Sequence, residues 1–99
     1  FNLTGYSTIV YLDADTFPLV PIDGLFRRNV SSIAAAPDIM LPDSFNSGVM
    51  VIRPSKMIAT QLFDFATTAT PYDGGDQGLL NDFFNANGEW YTSPESDRL

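Results

Sequence analysis

Two short apolar runs limit what this chain can fold into more than any other feature. Thr8, Ile9, Val10, Tyr11 and Leu12 form the first; Val49, Met50, Val51 and Ile52, between Gly48 and Arg53, form the second. Both are rich in β-branched or bulky residues and too short for buried helices, so they read as buried strands. Ile33, Ala34, Ala35 and Ala36 make a weaker third candidate, closed by Pro37. After the first run, Pro18 and Pro21 keep the chain in a loop, within which residues 22–26 can make one short helical turn. Pro54 stops the second run, and Ser55 can cap a helix after it. There Ile58, Leu62, Phe65, Ala66 and Ala69 fall on one helical face, and Pro71 ends it. A second helix is predicted over residues 77–86, with Asp76 as its N-cap, Leu80, Phe83 and Phe84 inward, and Gly88 past its end. Strands alternating with helices imply an α/β chain whose sheet is at least partly parallel. In open sheets of that kind, ligands bind beyond the carboxyl ends of the strands.

The 99 residues suffice for one domain or part of one. With 44% hydrophobic and 13% aromatic residues, the composition is that of a packed core rather than a disordered chain. The absence of cysteine and histidine excludes disulfides, thiolate ligands, imidazole ligands and cysteine nucleophiles from this stretch. A metal held here must therefore sit on oxygens, which favours hard ions such as Mg2+ or Mn2+. The net charge of -7 repels phosphate backbones and argues against a nucleic-acid partner; the five basic residues form no run. No apolar run approaches the roughly 20 residues that span a bilayer, and no signal-peptide pattern names a compartment.

Three constellations carry chemistry. Asp13 and Asp15, one residue apart just past the first strand, can share a hard cation that bridges to a diphosphate leaving group; acidic residues after a strand also simply make turns. Asn46, Ser47 and Gly48 lead into the second strand, with short polar side chains and room for a close backbone approach; a tight turn is the bland alternative. Asp73, Gly74, Gly75, Asp76, Gln77 and Gly78 gather two carboxylates, an amide and three glycines, more glycine than a helix cap needs. Each lies where a strand meets a loop or a loop meets a helix, so the three can converge on one cleft.

The runs Tyr11-Leu12-Asp13-Ala14-Asp15-Thr16, Asn46-Ser47-Gly48-Val49 and Asp73-Gly74-Gly75-Asp76-Gln77-Gly78-Leu79-Leu80-Asn81 closely resemble the retaining glycosyltransferases of family 8, of the glycogenin-like type. Ile22-Asp23-Gly24-Leu25-Phe26, Ala35-Ala36-Pro37-Asp38 and Pro42-Asp43-Ser44-Phe45 fit the same pattern, so the resemblance covers about residues 7–84. It implies a Rossmann-like nucleotide-diphospho-sugar transferase (GT-A) fold, with a mostly parallel sheet and flanking helices. Residues 1–99 would be the central portion of one catalytic domain, truncated at both ends. Asp13 and Asp15 would bind Mn2+ (or Mg2+), and Asp13 with Ala14 would contact the ribose. Asn46 and Ser47 would line the sugar site; Asp73, Asp76 and Gln77 would hold the sugar, with Asp76 and Gln77 flanking the anomeric carbon. The donor would be a UDP-sugar, UDP-glucose by the closest pattern, and the acceptor a protein or glycan; the full-length protein could be a homodimer. The base-contacting strand would precede Phe1, and the histidine completing the metal site would follow Leu99.

Other readings stay open. Polysaccharide-modifying relatives in family 8 share the visible motifs. Asp13-Ala14-Asp15-Thr16 also matches haloacid-dehalogenase-type phosphatases, in which the first Asp is the nucleophile; their later acidic motif should follow a strand, however, and residues 67–72 do not read as one. An inactive sugar-binding homologue is the non-enzyme alternative. Glycogenin-likeness suggests cytoplasm and a polysaccharide-modifying role the Golgi; the sequons at Asn2 and Asn29 matter only on the secretory route.

Overall fold

The computed structural model describes residues 1–38, 44–68 and 75–86. The expectations for Asp73 and Gly74, for Ala69 and Pro71, and for Gly88 lie outside those residues. The elements, in chain order, are β1 (Ile9–Leu12), a 3-10 turn (Asp23–Arg27), β2 (Ile33–Pro37), β3 (Phe45–Ile52), α1 (Lys56–Thr68) and α2 (Asp76–Ala86). Every predicted element among the described residues is present. β3 starts earlier than the apolar run alone implies, because the polar residues Asn46 and Ser47 also join the strand.

The sheet corrects one expectation. Its order is β1-β3-β2, and both pairings are antiparallel, so a mostly parallel sheet is not what the described residues form. The reason lies in the connections. Only residues 38–44 join β2 to β3, and a parallel neighbour needs a crossover of about a dozen residues or more. β1 and β2 do run in the same direction, but β3 is inserted between them.

β3 is the central strand and is covered on both faces. On one side Ile33, Ala35, Phe45, Met50 and Ile52 pack with Ile58 of α1 and Phe83 and Phe84 of α2; Ile9, Leu62, Phe65, Leu80 and Phe1 close round them. On the other, Ala34 and Val51 pack with Val30, beside Val10 and Leu25. This explains why the strands read as continuous apolar runs rather than alternating ones. Phe45 and Phe84, both fully buried, meet edge-on with centroids 6.3 Å apart. Each contributes on the order of 1.5–3 kcal/mol by leaving water.

Helix ends follow the sequence with one shift. The Ser55 hydroxyl accepts from the Ile58 amide at 3.3 Å and its carbonyl from the Ala59 amide at 2.9 Å, as a capping serine should. In α2 the first residue is Asp76 itself, and the carbonyl of Gly75 accepts from the Leu79 amide at 3.3 Å. Gly75 thus occupies the cap position, and Asp76 sits in the first turn, where a carboxylate complements the positive end of the helix. Ala66, expected on the inner face of α1, is exposed. Eight residues beyond Ile58, it is rotated roughly 80° from it about the helix axis, whereas Leu62 and Phe65 stay within about 40°.

Candidate functional site

The site begins at the carboxyl end of β1. Beyond the Leu12–Val49 pair, the Asp13 amide donates to the Gly48 carbonyl at 2.8 Å, one further rung of the ladder. The chain then turns sharply: the Thr16 amide and hydroxyl both donate to the Asp13 carbonyl, at 3.0 and 2.7 Å. Ala14 and Asp15 are left exposed on the turn while Asp13 is half-buried. The turn-forming reading of this motif is therefore true, and it leaves both carboxylates available.

β3 is irregular at the same level. Ala35 pairs with Met50, but the next β2 residue, Ala36, pairs with Asn46, so Ser47, Gly48 and Val49 have no partner on β2. Such a bulge bends a strand and re-aims its residues. Side chains satisfy the amides it frees: the Gly48 amide donates to Asn46 Oδ1 at 2.8 Å, and the Ser47 amide to Gln77 Oε1 at 3.1 Å. Gly48 is required here for space. A Cβ on it would lie 2.8 Å from Asn46 Oδ1 and 3.2 Å from Asp13 Oδ2. Asn46 is exposed and Ser47 is buried.

Gln77 fastens the start of α2 to this bulge, and its Nε2 donates to Asp38 Oδ2 at 2.9 Å. A carboxylate only accepts and a backbone amide only donates, so the two neighbours fix which way the Gln77 amide faces. Asp76 is exposed beside it. The Asp13 carboxylate, accepting the Tyr11 hydroxyl at 3.0 Å, holds the Tyr11 phenol above its ordinary pKa, and the charge of Asp76 adds a smaller push. Asp13 and Asp76, 63 positions apart in sequence, thus act on one hydroxyl.

The fold therefore brings together Asp13, Asn46, Ser47, Asp76 and Gln77; Ala14 and Asp15 follow Asp13 on the exposed turn, and Asp73 lies outside the described residues. Among the described residues no group of three or more His, Cys, Asp or Glu is placed to hold a metal. Three residues gain roles that their residue types alone did not announce. Tyr11 and Asp38 contact Asp13 and Gln77 as above. Asn81 is buried and bonds both backbone groups of Phe45. Its signal was a polar residue four positions after Gln77, between the inward Leu80 and Phe83.

Known proteins bear on this arrangement directly. Over all 99 residues the chain is 52% identical to glycogenin-1 of Caenorhabditis elegans. Over 94% of its length it is 50% identical to glycogenin-1 of Oryctolagus cuniculus. The chain belongs to the glycogenin-like members of family 8. It is also 40% identical, over 88% of its length, to glycogenin-1 of Saccharomyces cerevisiae. It spans 22%, 26% and 15% of those three glycogenins. No protein-family model matches it. Glycogenin-likeness displaces the phosphatase reading; of residues 67–72 only Thr67 and Thr68 are described, and both belong to α1.

Proposed function

We propose that this chain is part of a retaining, metal-dependent glycosyltransferase of GT-A type, which moves a hexose from a UDP-sugar, UDP-glucose in the first instance, to a protein or glycan acceptor. The observation that carries the reading is convergence. Three motifs spread over more than 60 residues meet through two hydrogen bonds, Asp13 amide to Gly48 carbonyl and Ser47 amide to Gln77 Oε1. Glycogenin-likeness supplies the reaction class.

Asp13 and Asp15 are the residues that would hold a divalent cation. Their oxygen-only donors suit Mn2+ or Mg2+. When bound, such an ion would neutralise the diphosphate leaving group. Asp13 with Ala14 would receive the ribose. Asn46, with Oδ1 committed to Gly48, has its NH2 as a donor for a sugar hydroxyl, and would line the sugar site together with Ser47. Asp76 and Gln77 would flank the anomeric carbon, Gln77 held by Ser47 and Asp38, and Asp76 supplying negative charge where positive charge develops. Asp73 would complete the sugar contacts.

The test is calorimetry of UDP-glucose on the full-length protein with and without Mn2+, followed by transfer assays with labelled donor. Tight binding only with the cation, and turnover with retained configuration, support the proposal. Equal affinity in both conditions, or binding without turnover on any glycan or protein acceptor, overturns it.

A further inference from the structure

Tyr11 is the one exposed residue of β1 and belongs to neither apolar cluster. It pairs with Met50 across the sheet, so its ring projects from a rigid element. Residues two apart in a strand share a face, and Tyr11 and Asp13 meet in that way: the hydroxyl donates to Asp13 Oδ1 at 3.0 Å. The other oxygen, Oδ2, stands 3.2 Å from where a Cβ on Gly48 would lie. The two oxygens of this carboxylate are thus made different: one accepts from a phenol, and the other lies close against Gly48 without a side-chain donor among the described residues.

We propose that Tyr11 is a positioning residue for a divalent cation at Asp13, holding Oδ1 so that Oδ2 is the oxygen presented to the ion. The inference rests on the cation role of Asp13 proposed above. A carboxylate turns easily about its last torsion. A donor fixed on a strand removes that freedom before the ion arrives, as outer partners of metal ligands do. A phenol suits the task because its single proton occupies one oxygen and brings no competing positive charge.

Mn2+ binding to the full-length protein without nucleotide, followed by the paramagnetic resonance signal of the free ion, tests this. Tyr11→Phe removes only the hydroxyl and leaves the ring. It is expected to weaken Mn2+ about three- to tenfold, the scale of one partly solvated hydrogen bond, while the ion-free melting temperature stays unchanged. Asp13→Asn is expected to abolish binding at this site. Unchanged affinity in Tyr11→Phe with loss in Asp13→Asn overturns the role of Tyr11 and leaves the cation reading standing. A Tyr11→Phe protein that melts several degrees lower without the ion assigns a structural role and also overturns it. Full affinity retained in Asp13→Asn overturns the cation reading, and the role of Tyr11 with it.

Discussion

Asn81 in α2 closes the backbone of Phe45 at the start of β3. Its Oδ1 accepts the Phe45 amide at 2.7 Å and its Nδ2 donates to the Phe45 carbonyl at 2.8 Å. Phe45 sits opposite Pro37 on β2, but the Asp38 amide bonds the Ser44 carbonyl at 2.9 Å, which makes 37/45 a non-hydrogen-bonded pair, so both backbone groups of Phe45 point away from β2. The Asn81 side chain takes the place of a strand neighbour and fastens α2 to the sheet, one turn along from Gln77, whose carbonyl also accepts from Nδ2 at 2.9 Å.

Asn81→Ala should therefore be destabilising out of proportion to the atoms removed. It strands a buried amide and a buried carbonyl, each at a cost of about 1–3 kcal/mol. Denaturant unfolding of the full-length protein measures the loss. Asn81→Asp keeps the acceptor but removes the donor. It also buries a carboxylate with one oxygen against the Phe45 carbonyl, so it should cost at least as much as Asn81→Ala; an Asp variant as stable as the parent would show that the Phe45 carbonyl does not depend on Nδ2.

Gly48→Ala tests how closely the motifs approach. The added methyl would meet Asn46 Oδ1 at 2.8 Å and Asp13 Oδ2 at 3.2 Å. Overpacking of this kind costs about 1–3 kcal/mol, but the side chains displaced are those proposed to hold donor and cation. Affinity for UDP-glucose with Mn2+ should fall at least tenfold. Unaltered affinity would mean that Asp13 and Asn46 can move aside without leaving the site.

Asp76→Asn should lower kcat more than it weakens donor binding, because the negative charge matters most when charge develops at the anomeric carbon. Loss of one such interaction commonly costs about 2.7–4 kcal/mol in the barrier. Asp76 is exposed in the first turn of α2, so little stability should be lost. Steady-state kinetics decide: a raised KM with normal kcat would assign Asp76 to ground-state binding.

The Tyr11 phenol gives a pH signature. Asp13, and more weakly Asp76, hold its pKa above the ordinary value. A raised phenol pKa means that the hydrogen bond is intact below the ordinary tyrosine range, about pH 10, and is lost as pH rises through the folded value. Tyrosinate absorbance, taken as the difference between the parent and Tyr11→Phe, should appear at a higher pH than in a tyrosine peptide. Asp13→Asn should shift it down. A phenol titrating at the peptide value would show that the Tyr11–Asp13 contact does not persist in solution.

Much of this protein was legible in one dimension. Apolar runs at residues 9–12 and 49–52 read as strands, because they are short and rich in β-branched and bulky residues. The helical period through Ile58, Leu62 and Phe65, and the Ser55 cap, are local properties that need no partner. The three motifs likewise marked Asp13, Asn46, Ser47 and Gln77 through residue type and position at element ends. Tertiary structure decided what depends on pairing. Strand direction was not readable from the apolar pattern, since an apolar strand buried on both faces looks alike in parallel and antiparallel sheets; the short connection between β2 and β3 makes that pair antiparallel, and the position of β3 beside β1 adds the second antiparallel pair. The bulge at Ser47, Gly48 and Val49 is a mismatch between two strands and exists in neither alone. Nor does any sequence spacing say that Asp38 orients Gln77, that Tyr11 holds Asp13, or that Asn81 closes the backbone of Phe45. Each joins side chain to partner across folded space, where hydrogen-bond geometry rather than residue preference selects the contact.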